Sequence, residues 1–203
     1  MLLVLSGCSA PEEPGIPLYL ALQRGDINQI ERHLAWGTDV NAPLADGQRA
    51  LQIAADTGNI VAVRKLLGQG ARIDAEDAQG RTPLFAALHA GRVRIADLLL
   101  EEGAPLDASR LLLALARQGL SYRDVVAWLA GHGADLEQRD TDGDTPLLVA
   151  IRQGNHRLAR HLVDNGASAT VRTADGTSAL ALAEQLQRRE IAQLLRRQGA
   201  RLD

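Results

Sequence analysis

Apolar positions along this chain fall into short helical runs separated by glycines. Residues 80–108 hold one complete unit. Gly80 suits a tight turn, because a positive φ costs glycine little. Thr82 is placed to cap a helix and Pro83 suits its first position, where no N–H is needed. Leu84, Ala87 and Leu88 share one face at helical spacing. Gly91 ends that short helix. Val93, Ala96, Leu99 and Leu100 then form the stripe of a second helix, which Gly103 ends.

The unit recurs. Gly37, Gly70, Gly103, Gly133, Gly166 and Gly199 are separated by 33, 33, 30, 33 and 33 residues. Gly25, Gly58, Gly91 and Gly154 each stand 12 residues before one of them. Leu18, Leu51, Leu84, Leu112, Leu147 and Leu180 make a third series. A two-helix unit this short cannot bury its apolar faces alone, but stacked copies can. The pattern therefore predicts an all-α solenoid of about six helix-turn-helix units, near 16–45, 46–78, 79–108, 109–139, 140–172 and 173–203.

Composition agrees. Of 203 residues, 46% are hydrophobic and 23% charged, as in a water-soluble fold. Only Tyr19, Trp36, Phe85, Tyr122 and Trp128 are aromatic, so the core must be Leu, Ala, Ile and Val. Such residues suit close-packed helices, and strand formers are too sparse for a large sheet. A net charge of −3 gives no basis for a nucleic-acid partner. No stretch of 18 apolar residues exists to span a bilayer.

The segments "GRTPLFAALHAG…ADLLLEEGA" and "GDTPLLVAIRQGNHRLARHLVDNGA" resemble ankyrin repeats in their T-P-L start, central Gly and final G-A. The resemblance covers residues 16–203, with the first and last units fitting capping positions. It implies a protein partner held by turn tips and by the exposed ends of first helices. It implies no cofactor, and a monomer until the partner is met. The tips are Asp46, Gln48, Glu76, Gln79, Arg81, Arg139, Thr141, Asp144, Arg172 and Asp175. The helix ends are Arg24, Asp56, His89, Arg117, Arg152 and Gln185. Four of those six are Arg or His, a row that would attract an acidic loop; the alternative is ordinary solvated helix ends.

The fourth unit, "DASRLLLALARQGLSYRDVVAWLAGHGA", departs from the pattern. It lacks T-P, its lead-in turn is about five residues short, and it gains about two residues near Ser121 and Tyr122. One reading is a notch shaped for a partner. The other is drift in a repeat that needs only its stripe of Leu112, Leu115, Val125, Val126 and Leu129.

The lone cysteine, Cys8, follows "LLVLSG". This resembles the lipobox of bacterial lipoproteins: an apolar residue, two small ones, then Cys. The resemblance implies a partial leader over 1–7, lipid on Cys8 and a polar tether over 8–15. The membrane is then met only through that lipid, in the periplasm, and Ser9 implies the outer membrane. The other reading is an incidental free thiol.

Catalytic and metal signatures are missing from the pattern. "DTDGDT" alternates Asp140, Asp142 and Asp144 like a calcium loop, but Thr145 stands where Gly is needed and Ile151 where Glu is. The five histidines are scattered, with no cysteine beside them to complete a zinc set. No phosphate-binding loop or nucleophile elbow is present. The expectation is a non-enzymatic, lipid-anchored immunity protein that grips a toxic effector acting in the periplasm, such as a lipase. The alternative is a scaffold or maintenance factor for a catalase-type enzyme or for envelope assembly.

Overall fold

The computed structural model describes residues 11–44 and 47–201. Among them are twelve helices in six pairs. They are α1 (Leu18–Arg24) with α2 (Ile27–Trp36), α3 (Ala50–Thr57) with α4 (Ile60–Gly68), and α5 (Pro83–His89) with α6 (Val93–Glu101). Then come α7 (Ala108–Arg117) with α8 (Arg123–Gly131), α9 (Pro146–Gln153) with α10 (His156–Asp164), and α11 (Ala179–Gln185) with α12 (Arg189–Arg197). The only β pairing among the described residues is an isolated bridge between Arg172 and Ser178.

Helices of 7 to 10 residues do not persist alone in water. Here α1, α3, α5, α7, α9 and α11 pack side by side in one row, and the second helices form another. Between the rows lies a continuous aliphatic core. Leu51, Leu84, Leu112, Leu147 and Leu180, one from each unit after the first, are at most 3% exposed. In the irregular unit Leu112, Leu115, Val125, Val126 and Leu129 are all fully buried. The stripe of α6 is Ile95, Ala96, Leu98 and Leu99, with Val93 and Leu100 only partly covered.

The units interlock through one backbone position. Gly25, Gly58, Gly91 and Gly154 all have a φ between 66° and 78°. Gly119, with a φ of 80°, supplies the same turn in the fourth unit and completes the series. The missing side chain leaves room for the residue that starts the next unit's second helix. The Tyr122 ring lies 3.1 Å from where a Cβ of Gly91 would stand, and the Arg188 guanidinium 3.0 Å from that of Gly154. These visitors also satisfy orphaned helix-end carbonyls. Arg92 Nε donates to Asp56 O at 3.1 Å and Arg188 Nη2 to Arg152 O at 3.0 Å; in the fourth unit Asn155 Nδ2 donates to Leu120 O, in the link after α7, at 2.9 Å.

The fourth unit differs as its spacing implies and in one further respect. The chain from Gly103 reaches α7 through only four residues, Ala104–Asp107. The helix starts at Ala108, one residue ahead of the 109 boundary and about one turn earlier, relative to Leu112, than α5 starts relative to Leu84. Asp107 caps it by accepting the Arg110 N–H at 3.0 Å. A turn of helix therefore replaces the hairpin-like finger of the other units.

Candidate functional site

The fingers and the exposed ends of the first helices share one face of the stack. Each finger closes by the same two backbone bonds. Asp77 N–H donates to Arg81 O and Gly80 N–H to Asp77 O, both at 3.0 Å. The pattern repeats at Asp140–Asp144 and at Thr173–Thr177. It also repeats at Leu44–Gln48, where Asp46 lies outside the described residues. Asp77 and Asp140 tighten their turns further, each taking two backbone N–H groups on Oδ1.

Arginines from the inner row neutralise these fingers. Arg117, at the end of α7, donates to Asp140 Oδ2 at 2.7 Å and Asp142 Oδ2 at 2.6 Å. Arg152, at the end of α9, grips Asp144 through Nε at 2.5 Å and Nη2 at 3.2 Å. Arg81 Nε holds Asp77 Oδ2 at 2.7 Å within its own finger. Burial would raise the Asp140 carboxyl, but Arg117 and the N–H groups of Asp144 and Asp142 outweigh it and hold it below the ordinary value. At Asp77 burial likewise pushes upward and is overcome by the Arg81 N–H and guanidinium and the Gln79 N–H. Arg117 and Arg152 are raised in turn by their bonds to Asp140 and Asp144.

The alternating aspartates of "DTDGDT" thus face guanidinium groups, which occupy the oxygens a cation would need. No group of three or more potential metal ligands is assembled among the described residues. His156 Nδ1 lies 3.3 Å from Glu190. His161 Nδ1 is buried without a partner, and burial holds that imidazole below its usual value.

The expected contact residues are spread along the whole face. Arg24, Asp56, His89, Arg117 and Arg152 are all exposed at or near the ends of first helices, and His89 stacks on Phe85 with ring centroids 5.8 Å apart. Gln79 and Thr141 are exposed at finger tips, whereas Asp144 is buried. Arg139 donates to Gly143 O and, at 2.9 Å, to Arg172 O, so it ties one finger to the next. Arg172 donates to Gly176 O at 2.8 Å. Of the row of cations, Arg117 and Arg152 are committed within the molecule, where they set finger geometry. Cys8 lies outside the described residues.

Two residues that the sequence did not single out also belong to this face. Arg110 and Leu113 project from the added turn and middle of α7, beside a groove of about 570 Å³ against the finger that leads into α9. Their signal was Asp107, a helix cap where the other units have a finger.

Comparison with known proteins follows the same lines. Residues 18–110 and 111–203 each match the family described as "Ankyrin repeats (3 copies)". An ankyrin repeat protein of fowlpox virus (strain NVSL), FPV031, is 37% identical over 95 residues, which are 45% of this chain and 27% of that protein. An ankyrin repeat domain from Acinetobacter baumannii AYE superposes with a TM-score of 0.65 at 28% identity, covering 91% of this chain and 98% of its own. A chain from the complex of the Bd0816 predatory endopeptidase of Bdellovibrio bacteriovorus with immunity protein Bd3460 superposes with a TM-score of 0.70 at 23% identity. That match covers 89% of this chain and 96% of the other. At that identity it shows a shared fold.

Proposed function

This chain belongs to the ankyrin-repeat family, a fold that binds other proteins, and we propose that it is an immunity protein: it binds a toxic enzyme and blocks it. The observation that carries the reading is the likeness in fold to a chain of the endopeptidase–immunity protein complex, over nearly the full length of both. The face of fingers and first-helix ends supports it. That face is held stiff by short charge-assisted bonds, so little side-chain freedom is lost on binding. Inhibition follows from covering the enzyme's catalytic cleft and needs no chemistry from this chain.

In the same proposal Cys8 carries lipid, and residues 8–15 tether the stack to the periplasmic side of the outer membrane. The target then acts in the periplasm; a lipase delivered by neighbouring cells is one such enzyme. Placing the stack beside the membrane raises its local concentration where such an effector arrives.

Deletion of the gene, followed by co-culture with wild-type sister cells, tests this. The expected outcome is heightened killing, restored to normal by the wild-type chain and less well by Cys8→Ala. Unchanged survival would end the immunity reading. Normal survival with new sensitivity to peroxide would point instead to maintenance of a catalase-type enzyme.

A further inference from the structure

We propose that the absent finger of the fourth unit makes a slot that receives an acidic loop of the bound protein. The inference deepens the proposed function and rests on it, because it assumes that the face of fingers and first helices is the one that binds.

The slot comes directly from the chain. Residues 104–107 lead straight into α7, so nothing rises between the finger at Asp77–Arg81 and the one at Asp140–Asp144. One wall is the added turn of α7, with Ser109 and Arg110; the other is the finger edge at Arg139 and Thr141. Leu113 and Ala114 form the floor, and Leu113 is only 8% exposed. An apolar floor under polar walls suits a protein loop, whose stem can bury carbon while its tip keeps hydrogen bonds.

Charge selects the occupant. Asp107 accepts the Arg110 N–H as a helix cap, and Asp140 and Asp142 share the Arg117 guanidinium. The lining as a whole carries three arginines, Arg110, Arg117 and Arg139, against two aspartates, Asp107 and Asp140. Of the three, Arg110 has its guanidinium exposed, and it bonds to no side chain among the described residues. Arg139 uses Nη1 and Nη2 on carbonyls and keeps further N–H groups. A carboxylate entering between Arg110 and Arg139 meets unmatched positive charge, whereas a basic loop would add to it.

The test places a photoreactive benzoylphenylalanine at Leu113 in the full chain, and separately at Ala86, Ala181 and Arg64. Cells are irradiated and the crosslinked peptides sequenced. The expected result is a crosslink from position 113 to one protein, through a peptide that carries Asp or Glu. Arg110→Glu should lower that yield about tenfold, the effect of one well-placed charge pair at an interface. Inserting the third unit's finger, residues 76–81, after Pro105 should abolish it while the helical circular-dichroism signal is kept. Crosslinks from 86 or 181 with none from 113 would overturn the slot and leave the proposed function standing. A peptide without an acidic residue, or a yield unchanged by Arg110→Glu, would overturn the acidic occupant. Crosslinking only from position 64, on the second-helix row, would remove both readings together.

Discussion

The third and fourth units lie side by side and solve one problem differently. The third enters its first helix through a closed finger and the Thr82–Pro83 cap; Thr82 Oγ1 accepts the Phe85 N–H at 3.2 Å. The fourth has no finger, caps with Asp107 and adds a turn of helix. Its inter-helix link is also longer, yet Tyr122 still packs over Gly91 of the third unit, as Arg92 does over Gly58. Yet both units bury their stripes equally well. The stack is therefore specified by apolar helix faces and by left-handed glycines, while the finger is free to vary.

The strongest way to break that comparison is through the stripes themselves. Leu112 and Leu147 occupy corresponding places and are both at most 1% exposed. Leu112→Ala and Leu147→Ala should each cost about 2–5 kcal/mol, the range for cavities left by buried leucines. Chemical denaturation followed by circular dichroism measures both. Equal costs support the view that the irregular unit is as tightly packed as a regular one. A loss under about 1 kcal/mol at Leu112 alone would show a loosened fourth unit.

The glycines sharpen the comparison at the joint between the two units. Gly91→Ala and Gly119→Ala both force a side chain into the left-handed region, at about 1–2 kcal/mol each. At Gly119 a Cβ meets nothing within 4 Å, whereas at Gly91 it meets the Tyr122 ring at 3.1 Å. Gly91→Ala should therefore cost about 1 kcal/mol more, an overpacking term. In a Tyr122→Ala background the two costs should converge. A gap that survives removal of the ring would mean that the ring contact is not its cause.

Much of this architecture was legible because six units state it repeatedly. The cap at Thr82, the stripe of the fourth unit and its altered loop lengths could all be read from spacing. What spacing hid was long-range charge pairing. Arg117 finds Asp140 across 23 residues and the whole of α8, and Arg152 reaches back to Asp144, so these two helix ends are bonded to the molecule's own fingers. The added turn of α7 was hidden for another reason. Residues 104–109 read as a shortened turn, and only the Asp107 cap marks them as the approach to a helix. Gly119 escaped because the two extra residues near Tyr122 shift it out of the fixed interval.

Acid separates the units that have aspartate-locked fingers from the one that lacks a finger. Asp77 and Asp140 have folded-state values held below the ordinary 3.8. Their stabilisation is complete above that ordinary value and is lost as pH falls through it toward the depressed one. Asp140→Asn should thus cost about 1 kcal/mol at neutral pH, and the difference from the parent chain should fade below about pH 4. Denaturation midpoints measured across that range check it. A difference that stays constant down to the acid limit would show that Asp140 acts by its hydrogen bonds alone and not by its charge.

The smallest expected effect lies in the sixth unit, where the glycine of the interlock is replaced. Gln187 stands at the place that Gly154 holds in the preceding unit, and its φ of 57° makes it the only non-glycine residue with positive φ among the described residues. In every earlier unit this place is glycine. At four of the five a residue of the next unit packs within 4 Å of the Cβ position, Gly119 being the exception. In the sixth unit a side chain does occupy this place, at the cost of backbone strain. Gln187→Gly should relieve that strain at some cost in unfolded-chain entropy, for a net gain of roughly 0.5–1 kcal/mol. Gly154→Gln, the reverse exchange inside the stack, should lose far more, because the Arg188 guanidinium would have to leave. If both exchanges changed stability by the same amount, the glycines would be serving backbone conformation alone, and the packing of one unit's helix start over the previous unit's glycine would contribute nothing to the order of the stack.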